Sequence, residues 1–258
     1  MTGDEPQDSI PEPPVIPPAE PPPEPYPFWS YVDLLLIAAM TVPCMALGIL
    51  LVHGVLWLFH YRPVLVVAEL LPAQILGYAF VFAAVAMMFR MQYGKPFWRS
   101  LAWLPLPLPS FWVVTAGVAT AVGVAIAASL LKTPQTSNEI TEMMQDRTSL
   151  LLLAFFGIAI APAAEELAFR GFLQPLLVRS VGPIYGILGA AIPFGILHFH
   201  EYGNSWRHAV VISLAGVGFG AMRHQTGSTR AAAAMHASYN AFLFLALFSS
   251  RKDLPHLW

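Results

Sequence analysis

The run Ala161-Pro-Ala-Ala-Glu165-Glu166-Leu-Ala-Phe-Arg170-Gly171 sets two acids and a base into an otherwise apolar stretch. On a helix, Glu166 and Arg170 stand four apart with the acid first, the favourable order for a same-face ion pair. Glu165 lies about 100° round the helix from Glu166. The pairing therefore neutralises one acid and leaves the other without a counter-charge. A carboxylate in that state, in poorly hydrated surroundings, can serve as a base near neutral pH. Taken alone, the group reads equally well as a charge cluster at a helix end.

Two further patterns change that weighing. In Phe194-Gly-Ile-Leu-His198 an aromatic ring and an imidazole share a helix face, and in His236-Ala-Ser-Tyr-Asn240 a histidine and an asparagine do the same. Polar side chains stacked on one face of an apolar helix must point into a bundle or into water, where interhelical hydrogen bonding alone would satisfy them. Together, Glu165, His198, His236 and Asn240 supply a base, a second proton carrier and donors for an oxyanion, the parts needed to add water to an amide carbonyl. Glu165, His198 and His236 are equally a divalent-metal set, in which zinc would activate the water.

The elements that must position these groups are membrane spans. Of 258 residues, 57% are hydrophobic and only 11% charged, and the mean hydropathy is +0.61. A soluble domain carries about a quarter charged residues. Apolar stretches long enough to cross a bilayer cover about 31–59, 64–89, 111–131, 149–172 or on to 179, 183–199, 207–222 and 229–249. The expected fold is all-α, a polytopic transmembrane bundle of about seven helices, with six to eight as the range. The segment 96–108, with Trp98, Trp103 and three prolines, reads as interfacial. For Glu165 and His198 to meet at one depth between antiparallel neighbours, the fourth helix must continue to about Arg179, about 45 Å long and kinked near Pro162.

Residues 1–27 hold eleven prolines and no Lys or Arg. They read as a solvated tail with polyproline-II character, a spacer or a docking motif. Six of the fifteen acids lie in the first 24 residues, so the body is weakly basic, without the basic patch that nucleic acid would require. The single cysteine, Cys44, excludes an internal disulfide and a multi-cysteine zinc site and reads as a buried thiol. Basic residues divide almost evenly between the two sets of loops, so the positive-inside rule does not set the orientation. The glycines in Gly216-Val-Gly218-Phe-Gly220 read as helix-packing positions rather than a nucleotide loop.

The ordered trio Glu165-Glu166-x-x-x-Arg170, Phe194-x-x-x-His198 and His236-x-x-x-Asn240 resembles the three motifs of the CPBP intramembrane proteases, which include the type II CAAX prenyl endopeptidases and bacterial Abi proteins. The resemblance implies an intramembrane endopeptidase with a catalytic core at 149–249, following N-terminal spans at 28–148 and followed by a short tail at 250–258. It implies that Glu165 and His198 activate water, that His236 and Asn240 stabilise the oxyanion, and that Glu166, Arg170 and Phe194 support them. This mechanism needs no cofactor; a metallo version would place zinc on Glu165, His198 and His236. Eight helices are typical of such proteases, one more than this chain suggests. The implied partners are the lipid bilayer and a membrane-associated peptide or protein, prenylated in one branch of the family. The implied setting is a multi-pass protein of a bacterial cytoplasmic membrane.

No His-Glu-x-x-His helix and no Gly-x-Ser-x-Gly elbow is present. His200 and Glu201 are expected where the fifth span leaves the membrane, outside the site. Glu69 is expected at a helix start just inside the interface. Two other functions use the same residues: a non-catalytic immunity, resistance or scaffold protein with the polar cluster as structural glue, and a small transporter with the cluster as a proton relay. No internal duplication favours the transporter.

Overall fold

The computed structural model describes residues 25–134 and 142–250; most of the expected N-terminal tail and residues 251–258 lie outside the described residues. The elements are α1 (Tyr31–Leu58), α2 (Val67–Tyr93), α3 (Phe97–Ser100), α4 (Ser110–Leu130), α5 (Arg147–Phe155), α6 (Ala161–Glu166), α7 (Gln174–Leu197), α8 (Trp206–Thr226) and α9 (Thr229–Ser250). Two π-helical stretches, Phe156–Ile160 and Leu167–Leu173, join α5, α6 and α7 into one continuous run. Every stretch expected to span is helical, and no strand occurs among the described residues.

Five helical runs are long and apolar enough to cross a membrane: Tyr31–Leu58, Val67–Tyr93, Ser110–Leu130, Arg147–Leu197 and Thr229–Ser250. The chain is thus an integral, multi-pass membrane protein. One of the seven expected spans changes status. The fourth and fifth are the two arms of the 51-residue run Arg147–Leu197, divided at Gly182 as their expected bounds require. The sixth is helix α8, whose Arg207, His208, Arg223 and His224 dilute its apolar character, and it is not among the five.

Isolated ionisable residues at the helix starts have local reasons. Ser30 caps α1, and Asp33 completes a capping box by accepting from Ser30 N at 2.7 Å. Tyr93 Oη donates to the same Asp33 oxygen at 2.6 Å, tying the end of α2 to the start of α1. Glu69 lies in the first turn of α2, as expected, and pairs with His53 of α1. Asp146 caps α5 by accepting from Ser149 N at 2.7 Å, a bond that holds its carboxyl below the usual range.

The long run follows from Pro162. Proline removes one backbone N–H, and its ring clashes with the carbonyl four residues back. Here the winding widens to π-helix over the five residues Phe156–Ile160 just before it, so the expected disturbance near Pro162 takes the form of a change of pitch. The helix continues past Arg179, as the depth argument requires. It breaks at Gly182, where φ 82° and ψ 170° suit glycine alone, and Pro183 follows. The chain then doubles back: Gly186 meets the Val178 backbone and Gly189 the Leu177 side chain.

Residues 25–30 are docked to the bundle. Trp29 is fully buried, stacks on Phe172 at 5.3 Å and donates Nε1–H to Phe172 O at 3.1 Å. Tyr26 and Pro27, counted with the tail from composition, touch Ser100 and Arg179 respectively. The interfacial segment clamps the start of α9: Thr229 N donates to Ala102 O at 2.9 Å and Ser228 Oγ to Leu104 O at 2.8 Å.

Helices α1 and α2 cross at glycines, and a Cβ on Gly48 would run into Ala73 O and Gly77 N, which are backbone and cannot yield. Gly48→Ala should therefore lower stability by about 1–3 kcal/mol, whereas Gly54→Ala, with open space around it, should be neutral or mildly stabilising. Thermal unfolding of the two variants in the same detergent checks the contrast.

Candidate active site

The site begins with a charge pair out of reach of water. Arg170 Nη1 donates to Glu166 Oε1 at 2.9 Å, and neither side chain is exposed. The i,i+4 pair expected from sequence is formed. Arg170 Nη2 reaches across to α8 and donates to Gly216 O at 2.7 Å. A Cβ on Gly216 would sit 3.0 Å from that nitrogen, so the small residue lets the guanidinium approach the backbone. The rings of Phe194 and Phe219 complete the enclosure, with their centroids 4.5 and 5.5 Å from the Arg170 carbon.

The same Glu166 oxygen also serves α9. His236 Nδ1 lies 2.9 Å from Glu166 Oε1, and the imidazole stacks on Phe219 at 4.3 Å. An ionised carboxylate only accepts, so Nδ1 carries the proton and Nε2 is left to face the site. His236 Nε2 stands 3.9 Å from Glu165 Oε2. That gap exceeds a direct hydrogen bond and suits a bridging water. Glu166 thus does more than pair with Arg170: it fixes the ring that faces Glu165.

Asn240 has a structural partner that sequence did not suggest. In the π-helical stretch Ala161 N bonds Phe156 O, five residues back. The next bond in that register would run from residue 162 to Gly157 O, but residue 162 is proline and has no N–H. Asn240 Nδ2 donates to Gly157 O at 2.6 Å and so satisfies that carbonyl from another helix. Its second N–H remains for the site.

Helix α7 ends at Leu197, and His198 caps it. His198 Nδ1–H donates to Phe194 O at 2.8 Å, so Nε2 is its outward atom, 3.9 Å from Glu201 Oε2. Glu201 was expected outside the site; it belongs to the walls, because the tight turn after His198 brings it back over the imidazole. His200 is not part of these walls.

Glu165, Phe194, His198, His236 and Asn240 line one cavity of about 230 Å³. Gln74 of α2, Phe219 of α8 and Tyr239 of α9 share it. A second cavity of about 280 Å³ lies toward Thr41, Met45 and Phe82 of α1 and α2, and Glu165, His198, Glu201 and Gln74 line both. The structure therefore brings all four expected catalytic residues to one space. Phe219, Gly157, Gln74 and Glu201 were missed. Only Glu201 carried a sequence signal, its position three residues after His198.

Residues 147–242 match the family model described as Type II CAAX prenyl endopeptidase Rce1-like. The resemblance read from the three motifs is thereby shown over this span. All seven motif residues lie inside the Rce1-like segment, while Gln74 and the rest of α2 lie outside it. The searches against curated proteins and against solved structures returned no match. Among the described residues, no three His, Cys, Asp or Glu side chains form a metal-holding group. Glu165, His198 and His236 line one cavity without forming such a group.

Removing one partner of a buried ion pair strands the other charge. Arg170→Met should therefore cost about 3–5 kcal/mol, and the double variant Glu166→Gln/Arg170→Met should be more stable than Arg170→Met alone. Denaturation of the three proteins in one detergent would show this coupling or its absence. A second cycle tests the carbonyl cap: Asn240→Ala should cost about 1–3 kcal/mol by orphaning Gly157 O, and less when Pro162→Ala restores an N–H nearby.

Proposed function

We propose that this chain is an intramembrane endopeptidase that hydrolyses a peptide bond in a membrane-associated substrate, with Glu165 as the base for the attacking water. The observation that carries this reading is the pairing of Glu165 Oε2 with His236 Nε2 across 3.9 Å on the cavity wall. Glu165 has no arginine of its own, because Arg170 is spent on Glu166 and Gly216. Its carboxylate is about one-fifth exposed, open enough to meet a water and a substrate carbonyl.

In the proposed reaction a water held between Glu165 and His236 gives a proton to Glu165 as its oxygen bonds the scissile carbonyl carbon. The carbonyl π pair moves onto oxygen. The second N–H of Asn240 is a donor for that oxyanion, and His236 Nε2 is another once the ring has taken a proton from solvent before the attack. The tetrahedral intermediate then collapses, the C–N bond breaks, and the proton on Glu165 passes to the leaving amine. His198, on the same wall, serves as a second proton carrier. No step passes through a metal or cofactor.

The family description names CAAX prenyl endopeptidases, so prenylated C-terminal peptides are the first substrates to offer, and a bacterial cytoplasmic membrane is the proposed setting. The chain boundaries given above, with N-terminal spans before a catalytic core, belong to the same proposal.

Detergent-purified wild type should cleave a quenched fluorescent library containing prenylated peptides. Glu165→Gln should lose about 10²–10⁴-fold of that rate while accumulating in the membrane at wild-type level. A strong zinc chelator should leave the wild-type rate unchanged. Loss under chelation with recovery on zinc would overturn the glutamate mechanism, and partner function that survives Glu165→Gln without cleavage would favour a scaffold.

A further inference from the structure

A separate cavity of about 220 Å³ lies away from the active site, lined by Tyr26, Gln174, Arg179, Arg223 and His224 among others. Its basic groups come from different elements. Arg179 stands three residues before the Gly182 break, Arg223 and His224 occupy the last turn of α8, and Tyr26 precedes the start of α1 at Tyr31. Three helix ends converge there, which puts the cavity where spans meet the bilayer surface. Tyr31 and Tyr185, both well exposed, flank this level as interfacial aromatics do.

Neither guanidinium meets a carboxylate among the described residues. Arg223 is only 8% exposed, and its partners are neutral: Thr229 Oγ1 at 3.0 Å and Tyr26 Oη at 3.1 Å. Arg179 donates to the carbonyls of Pro27 and Trp29. Basic residues in a last turn commonly complement the helix dipole. That accounts for the sign of Arg223 but not for a nearly buried guanidinium with neutral partners beside a second one, since a charge withdrawn from water calls for an opposite charge. Gln174 closes the inner wall: its Nε2 donates to Gly220 O, and its Oε1 is buried against Gly220.

We propose that this cavity is a phosphate site that holds the headgroup of an anionic membrane glycerophospholipid, its phosphodiester between Arg179 and Arg223. Two guanidiniums suit a phosphodiester's paired oxygens better than one point charge would. A basic cavity between helix ends at the bilayer surface is placed to take a lipid headgroup. A lining with two guanidiniums and no carboxylate favours a headgroup of net negative charge over the zwitterionic choline one.

The test uses the full chain in detergent, with Tm and native mass spectrometry as readouts. The probes are phosphatidylglycerol, phosphatidylcholine and inorganic phosphate. Phosphatidylglycerol should raise Tm and remain bound in the mass spectrum, and phosphatidylcholine should do neither. Arg179→Gln, the exposed member, should weaken phosphatidylglycerol binding about tenfold while the protein stays folded. Arg223→Lys, which keeps the charge but loses the fork, should weaken it as well. A Tm rise with inorganic phosphate and no further gain from lipid would assign the site to free phosphate and overturn the headgroup. Equal stabilisation by both lipids, or binding unchanged in Arg179→Gln, would also overturn the proposal. So would phosphatidylglycerol binding that appears only when the six acids of residues 1–24 are replaced by Asn and Gln, since the chain's own acids would then be the occupant.

Discussion

One oxygen of Glu166 organises the centre of this protein. It accepts from Arg170 and from His236, and all three side chains are buried or nearly so. A carboxylate and a guanidinium withdrawn from water are stable only where each finds several partners, and the surrounding sequence supplies them. Gly216 exposes a backbone carbonyl to Arg170, Phe194 and Phe219 cover its faces, and Phe219 stacks on the imidazole. Glu166 Oε2 and Arg170 Nε still lack partners. The network is therefore costly in stability, and its return is one imidazole fixed in one tautomer beside Glu165.

Proline in a transmembrane helix leaves a carbonyl that lipid cannot satisfy. Pro162 lies four residues before Glu166, and its cost is spread over two devices: a π-helical stretch that widens the backbone, and an amide from α9 that caps Gly157 O. The same Asn240 then binds the α6 region to α9 at the level where His236 reaches Glu166. A single defect in one helix thus ties two helices together at the depth where both acids sit. A second π-helical stretch follows α6 and carries Arg170 toward α8.

The parts of this arrangement that follow from local periodicity were legible in the sequence. The Glu166–Arg170 pair needs only the helical repeat, and the long helix past Arg179 was forced by the need to bring Glu165 and His198 to one depth. The start position of Glu69 likewise follows from what a charge can do near a bilayer surface. The Gly182 reversal falls in the gap left between the fourth stretch, ending near 179, and the fifth, starting at 183, so its place was legible although its backbone angles were not. The bond from Asn240 to Gly157 could not be read at all: it depends on π winding, which side-chain pattern does not encode. Phe219 was invisible for a related reason, since an aromatic in an apolar helix looks the same whether it faces lipid or an imidazole. Glu201 was set aside on the assumption that the chain leaves the membrane after His198; the tight turn instead folds it back.

The motif-free half also has physical work at the site. Glu165 and His198 stand on a wall shared by two cavities, one lined mainly by the Rce1-like segment and the other completed by Thr41, Met45 and Phe82 of the α1–α2 pair. Without that pair, the outer side of Glu165 would face hydrocarbon, where a carboxylate and a polar reactant are both poorly held. Gln74 of α2 borders both spaces and provides a polar contact on that side. The hairpin is fastened for this purpose at both ends: Tyr93 to Asp33 at one, and His53 to Glu69 at the other. Trp29 and Phe89, packed on Phe172 of the long helix, set its distance from the acids. The three motifs supply reactive groups, but the cavity that keeps lipid off Glu165 requires residues that no motif contains.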